Sequence, residues 1–173
     1  MLHRFTYFPF CGFFVFPAGD LQAIAQIGIF EMKVADPEKE IGRDWNIQYR
    51  NYATPAAAVE LLRWLQLSAE TAEPSEAEDQ PWPLLIDLMA DSKTGAKRLK
   101  GLLPNGTFVA HKTGTSGTQN GLTAATNDIG IIRLRNGRHI AIAVFVSDST
   151  APEETREAVI ARIAKAVWDR WSK

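Results

Sequence analysis

The stretch TFVAHKTGTSG, residues 107–117, opens as an apolar, β-branched run and closes in a turn rich in glycine and threonine. That composition predicts a strand over about 107–115 that ends in a polar edge. Two further strands follow, IGIIRLR (129–135) and HIAIAVFVS (139–147), separated by Asn136-Gly137. Asn-Gly accepts the positive φ angles of a type I′ turn, so these two strands are expected to form an antiparallel hairpin. Thr150-Ala151-Pro152-Glu153 reads as a capping box with proline in the first turn, opening a helix over about 152–171. Ile160, Ile163, Val167 and Trp171 would share its apolar face. Three strands and a helix in this order predict an α+β domain, with helices packed on an antiparallel sheet.

Toward the N-terminus the signals weaken. Thr54-Pro55 supplies an N-cap and a first-turn proline for a helix whose face carries Val59, Leu62 and Leu65. SAETAEPSEAEDQPWP (68–83) is acidic and broken by three prolines, which predicts a solvated connection to a short helix, LLIDLMAD (84–91). ADPEKEIGRDWNIQYRNYA (35–53) has no sustained period and reads as a long ordered loop, whereas IFEMKV (29–34) alternates like a short extended piece. Residues 21–27 suggest the end of a helix. The first 19 residues are compositionally foreign, because six of the nine phenylalanines fall between Phe5 and Phe16. One positive charge, a short apolar run and Ala23-Ile24-Ala25 loosely fit an export signal, but Pro9, Gly12 and Pro17 interrupt it, leaving a signal-like and a non-native leader both open. The run is too short to span a bilayer as a helix.

Composition narrows the function. With 173 residues and 46% hydrophobic side chains, the chain suffices for one core. Nineteen basic and twenty acidic residues provide no electrostatic case for a nucleic-acid partner. Cys11 is the single cysteine and lies in the aromatic run without a His or Cys at ligand spacing, so neither a disulfide nor a metal site is expected. No cofactor is expected either.

Lys112-Thr113-Gly114 also occurs as Lys93-Thr94-Gly95, and context separates the copies. The earlier one follows LLIDLMAD, where Gly95 suits a left-handed helix cap and Lys93 the negative end of the dipole. The later one ends a strand, where a lysine, two hydroxyls and an unencumbered backbone can hold an anion and let a ligand lie along the edge.

TGAKRLKGLLPNGTFVAHKTGTSG (94–117), AATNDIGII (124–132), NGRHIAIAVFVSDS (136–149) and DWNIQYRNYATP (44–55) together resemble the class A serine β-lactamases, particularly their PER-like branch. The resemblance runs from about residue 20 to the C-terminus and implies roles residue by residue. Lys112 would supply positive charge near the substrate carboxylate and the nucleophile's proton network, and Thr113 would bond that carboxylate. Gly114 keeps the edge open. The Thr115 backbone N–H would be an oxyanion-hole donor, and Ser116 would line the same edge. Arg98 would help anchor the carboxylate, its bland alternative being a solvated charge at a helix end. Asn127-Asp128 would brace the turn beside the site. Glu38 would activate the deacylating water, with Glu40 as the competing carboxylate. The substrate implied is a small-molecule β-lactam, and the location periplasmic or secreted.

Several departures qualify this. Gly42 stands where many members have an asparagine that helps hold the water, and Asp36-Pro37 is unusual before the glutamate. No serine is followed three residues later by lysine, and no Ser-Asp-Asn occurs, so the nucleophile expected of the family is absent from these residues. Tyr49-Arg50-Asn51 mimics a Tyr-x-Asn motif by coincidence. The chain matches the C-terminal portion of the family, 20–173, with its omega loop at about 34–53 and its sheet strands at about 107–147. The family's N-terminal helix and strands would precede residue 20, which predicts a partial β-lactamase/transpeptidase-like fold, an incomplete sheet and self-association through its uncovered edge. Three functions stay open: β-lactam hydrolysis by descent, a catalytically silent remnant with weak β-lactam binding, and a penicillin-binding-protein-like fragment.

Overall fold

The computed structural model describes residues 8–9, 28–36, 40, 43–71 and 81–173. The leader apart from Phe8-Pro9, residues 21–27, Glu38, Gly42 and the middle of the acidic connection lie outside the described residues.

Short strands β1 (Phe8–Pro9), β2 (Met32–Lys33) and β3 (Tyr52–Ala53) form a small antiparallel sheet in the order β1-β3-β2. Helices α1 (Pro55–Thr71) and α2 (Trp82–Ala90) follow. The main sheet consists of β4 (Val109–Thr115), β5 (Thr118–Gln119), β6 (Leu122–Arg133) and β7 (His139–Ser149), and the chain closes on α3 (Glu153–Trp171). All pairings are antiparallel, with β6 between β4 and β7. Central position explains why β6 is buried on both faces, its polar residues Thr123, Thr126, Asn127 and Asp128 included.

The sheet separates two cores. One face carries Ala110, Ile129 and Ile131 against Ala58, Leu62, Leu65 and Met89 of α1 and α2, which are joined by an edge-on Trp64–Trp82 contact at 4.6 Å. On the other face Val109, Ile132, Ile142 and Val144 pack against Leu99 and against Ile160, Ala164 and Trp168 of α3. Each such aliphatic side chain contributes about 1.5–3 kcal/mol when fully buried. The result is the expected α+β architecture, with helices on both faces of an antiparallel sheet.

Local details depart from the sequence expectations in four places. The type I′ turn lies at Asn120-Gly121, where φ is +51 and +78, and joins β5 to β6. At the β6–β7 connection only Gly137 has positive φ, and its N–H donates to Leu134 O at 3.0 Å, because a longer loop absorbs the strand twist there. Helix α3 starts at Glu153 with Pro152 at the cap position and no side-chain cap; Pro152 O accepts the Thr155 and Arg156 N–H groups instead. The buried stripe of α3 is Ile160, Ala164 and Trp168, while Ile163 and Trp171 are 41% and 51% exposed. Small Ala161 and Ala164 let the helix approach the sheet, and Trp168 then fills the space one turn on. Finally, Ser68–Thr71 of the acidic connection belong to α1, whose Thr54 hydroxyl caps the Ala57 N–H at 3.1 Å as its sequence predicts.

Candidate active site

The C-terminal end of β4 pairs with the middle of β6, Thr113 opposite Asp128 and Thr115 opposite Thr126. Because side chains alternate across a strand, Lys112 projects on the α1/α2 side of the sheet, and Thr113 and Thr115 on the α3 side. The edge can therefore offer an ammonium from one face and hydroxyls from the other. Lys112 is half-buried and its Nζ donates to Thr113 O at 3.3 Å; Thr115 is exposed. Ser116 is turned inward: its Oγ accepts the Ala125 N–H at 2.9 Å and donates to Gly117 O at 3.0 Å. It shapes the end of the edge from behind and, in this arrangement, does not line it.

The other Lys-Thr-Gly tripeptide lies against this edge. Thr94 Oγ1 is 2.9 Å from Thr113 Oγ1, and Gly95 has φ +63 with space for no side chain, since a Cβ there would stand 2.2 Å from Thr113 Cγ2. The helix before it ends at Ala90 with Asp91 as its cap, so Gly95 is not the helix cap expected from sequence. It is the point where a turn passes in van der Waals contact with the site strand. Lys93 and Thr94 are exposed.

Arg98 follows in the same turn and is only 4% exposed, which excludes the solvated alternative. Its Nη1 donates to Gly114 O at 3.2 Å and Asn127 O at 2.9 Å, its Nη2 to Thr115 Oγ1 at 2.6 Å, and its Nε to Glu157 at 3.1 Å. Glu153 adds a second carboxylate at 3.8 Å. The guanidinium thus stands behind the edge, using its planar fork to fix two backbones and aim the Thr115 hydroxyl. Asp128, buried beside it, accepts the Leu99 N–H at 3.1 Å and so braces the turn. Lys100 completes the turn by donating to Ala90 O and Ser92 O at 3.2 and 3.3 Å. Burial lowers its pKa, partly opposed by the charge of Asp128.

Glu38 and Gly42 lie outside the described residues. The competing carboxylate, Glu40, is paired with Arg43 at 2.5 Å. What holds the loop is Asn51, whose Oδ1 accepts the Ala35 and Asp36 N–H groups at 2.7 and 2.9 Å and whose Nδ2 donates to Asp36 O at 2.8 Å. Arg50 Nε forms an ion pair with the Asp36 carboxylate at 3.1 Å. The Tyr49-Arg50-Asn51 triplet is therefore the clamp at the base of this loop, a role its order alone does not reveal. Tyr49 ties the same segment to β7 by donating to Asp148 at 2.7 Å. Among the described residues no group of three His, Cys, Asp or Glu is placed to hold a metal ion, and no helix is long and apolar enough to cross a membrane.

Residues 23–171 match the sequence model of the Beta-lactamase enzyme family. The chain is 43% identical over 152 residues to the extended-spectrum β-lactamase PER-1 of Pseudomonas aeruginosa, covering 88% of this chain and 47% of that protein. It is 42% identical over 139 residues to β-lactamase VEB-1 of the same organism, covering 80% and 45%. Among solved structures, the TLA-3 extended-spectrum β-lactamase superposes with a TM-score of 0.81 at 46% identity, covering 88% of this chain and 54% of that one. A β-lactamase from Chitinophaga pinensis gives 0.79 at 41% identity, covering 86% and 53%. The chain spans about half the length of the relatives it matches. With the antiparallel sheet, the Lys112-Thr113-Gly114 edge and the family match in agreement, this chain belongs to the β-lactamase enzyme family, on its class A, PER-like branch.

Proposed function

We propose that this chain carries the carboxylate-recognition edge of a serine β-lactam hydrolase, and that by itself it binds β-lactams weakly without turning them over. The observation that supports this is the end of β4, which carries the Lys112 ammonium on one face and the Thr113 and Thr115 hydroxyls on the other, the last aimed by a buried Arg98. An ammonium and hydroxyls on an open strand end suit a small carboxylate, since both donate hydrogen bonds to an acceptor-only group.

In the family reaction a serine hydroxyl adds to the lactam carbonyl, the amide C–N bond breaks with protonation of nitrogen, and water then hydrolyses the acyl-enzyme. Within that scheme we assign Lys112 and Thr113 to the carboxylate, the Thr115 N–H to the oxyanion, Arg98 to positioning, and Glu38 to activation of the water. Gly114 leaves the substrate room along the strand, and Ser116 holds the end of the strand in shape. The serine belongs to a Ser-x-x-Lys that these 173 residues do not contain. Periplasmic or secreted location and self-association along the open side of the sheet are parts of the same proposal.

The test combines a chromogenic cephalosporin with intact-mass spectrometry on the purified chain. The expected result is saturable, weak binding with no turnover and no covalent adduct. Turnover accompanied by an acylated serine would contradict the proposal of a silent binder and restore hydrolysis by this chain.

A further inference from the structure

The residue before Lys112 has no part in the chemistry assigned above, yet it is among the most completely buried polar groups of the molecule. His111 and Asp128 are both 0% exposed, and His111 Nδ1 lies 2.9 Å from each oxygen of the Asp128 carboxylate. A carboxylate accepts, so Nδ1 is assigned as the donor. Asp128 Oδ2 also accepts the Leu99 N–H at 3.1 Å. Opposite His111 in the register is Gly130, where a Cβ would come within 2.8 Å of His111 Cβ and 2.6 Å of Ala110 O. The absence of a side chain at 130 is what lets the imidazole lie flat on β6 and reach diagonally to Asp128.

Two members of this group are one residue away from a member of the proposed site, and the third adjoins a residue that Arg98 bonds. His111 precedes Lys112, Leu99 follows Arg98, and Asp128 follows Asn127, whose carbonyl accepts from Arg98 Nη1 at 2.9 Å. Packing alone does not call for a polar pair here. His111 Nε2 is buried with no hydrogen-bond partner among the described residues, and an apolar residue of similar volume, on the sheet face that carries Val109 and Ile132, would not incur that penalty. What an apolar residue would not supply is a fixed direction: Nδ1 and the Leu99 N–H converge on one carboxylate and lock the relative position of strand β4 and the Arg98 turn.

We propose that His111 and Asp128 are a positioning pair that sets the reach of Lys112 and of the Arg98–Thr115 contact toward a bound carboxylate. The role rests on the reading of the β4 edge as a β-lactam carboxylate site, and it is testable separately from that reading. The variants are His111→Leu, which keeps volume and removes the donor, and His111→Asn, whose amide can replace Nδ1–H. Asp128→Asn serves as the second route should His111→Leu not fold.

The probe is benzylpenicillin, followed by chemical-shift titration on the full chain, with its methyl ester as control. His111→Leu is expected to stay folded, to weaken benzylpenicillin binding about 10-fold or more, and to leave the already weaker binding of the ester unchanged, because the misplacement acts through the carboxylate grip. His111→Asn is expected to retain most of the affinity. In parallel, the Arg98 Nε–H signal should shift in His111→Leu and Asp128→Asn, and the Leu99 amide should lose hydrogen-exchange protection in His111→Leu, with or without ligand. Unchanged Leu99 protection and Arg98 signal, or equal loss of affinity in the leucine and asparagine variants, would overturn the positioning role. If the wild-type chain bound no benzylpenicillin, the carboxylate-site reading would fail alone, and the Leu99 and Arg98 signals would still decide whether the pair positions them.

Discussion

The same three letters, Lys-Thr-Gly, have opposite conformations in this molecule, and the two copies touch. Lys112-Thr113-Gly114 runs through a regular strand paired to β6, whereas Lys93-Thr94-Gly95 lies in a turn after α2, with Gly95 at φ +63. The first copy presents its side chains; the second supports them. Arg98 joins the two, since its N–H donates to Gly95 O at 2.8 Å and its guanidinium to Gly114 O at 3.2 Å. A tripeptide this small acquires its meaning from the backbone around it, and here one copy acquires its meaning from the other.

The largest disturbance of this relation is expected from Arg98→Ala. It removes the second donor from the ladder carbonyls of Gly114 and Asn127 and unpairs the shielded Glu157, so unfolding stability should fall by about 3–5 kcal/mol, read from denaturant titration. Gly95→Ala comes next. The strained φ and the 2.2 Å approach to Thr113 Cγ2 should together lower stability by about 2–4 kcal/mol. Gly117→Ala, with nothing within 4 Å of its Cβ, should change it by less than about 0.5 kcal/mol. Equal effects at the two glycines would remove the claim that the turn is fitted to the site strand.

Smaller still is Thr94→Val, which deletes the two exposed hydroxyl contacts to Thr113 and Ser92 and should cost about 0.5–1 kcal/mol in the same titration. At the far end of the scale is Tyr49. Burial first, then the hydrogen bond to Asp148 and its charge, push its phenol up to about 12 from an ordinary 10.0. A group whose pKa is higher in the folded state contributes stability that is complete below the unfolded value and lost as pH rises through the folded one. The Tyr49–Asp148 tie should therefore persist at pH 10 and loosen only toward about 12. Comparison of ultraviolet tyrosinate titrations of the wild type and Tyr49→Phe checks this, and a Tyr49 signal titrating near 10 would contradict it.

The parts legible in the sequence are those governed by short-range periodicity. The three main strands, the Thr54 cap and Leu62 and Leu65 on the face of α1 follow from alternation, an N-cap and helical spacing, whereas Val59 is only half-buried and Ala58 and Leu61 complete the buried face instead. Illegible were features decided by a distant neighbour. Whether Asn-Gly forms a type I′ turn depends on loop length, which is why the turn occurs at Asn120-Gly121 and not at Asn136-Gly137. Which stripe of α3 is buried depends on where Ala161 and Ala164 meet the sheet, a matter no periodicity distinguishes from the adjacent Ile163–Trp171 stripe. In the site, residue types signalled Lys112 and Thr113 and the family resemblance added Arg98, but nothing local indicates that Asn51 clamps the loop at 35–36 or that His111 pairs with Asp128. Ser116 illustrates the converse: the resemblance puts it along the edge, and its Oγ accepts the Ala125 N–H.

The central claim is that only the strand copy of the tripeptide serves a β-lactam carboxylate. Its most direct test is the affinity of benzylpenicillin for Lys112→Ala and Lys93→Ala, measured side by side by chemical-shift titration at low ionic strength. Loss of a charge-assisted contact of about 1.5–3 kcal/mol corresponds to roughly 10- to 100-fold weaker binding for Lys112→Ala, with Lys93→Ala unchanged. Equal weakening in both variants, or none in Lys112→Ala, would contradict the assignment.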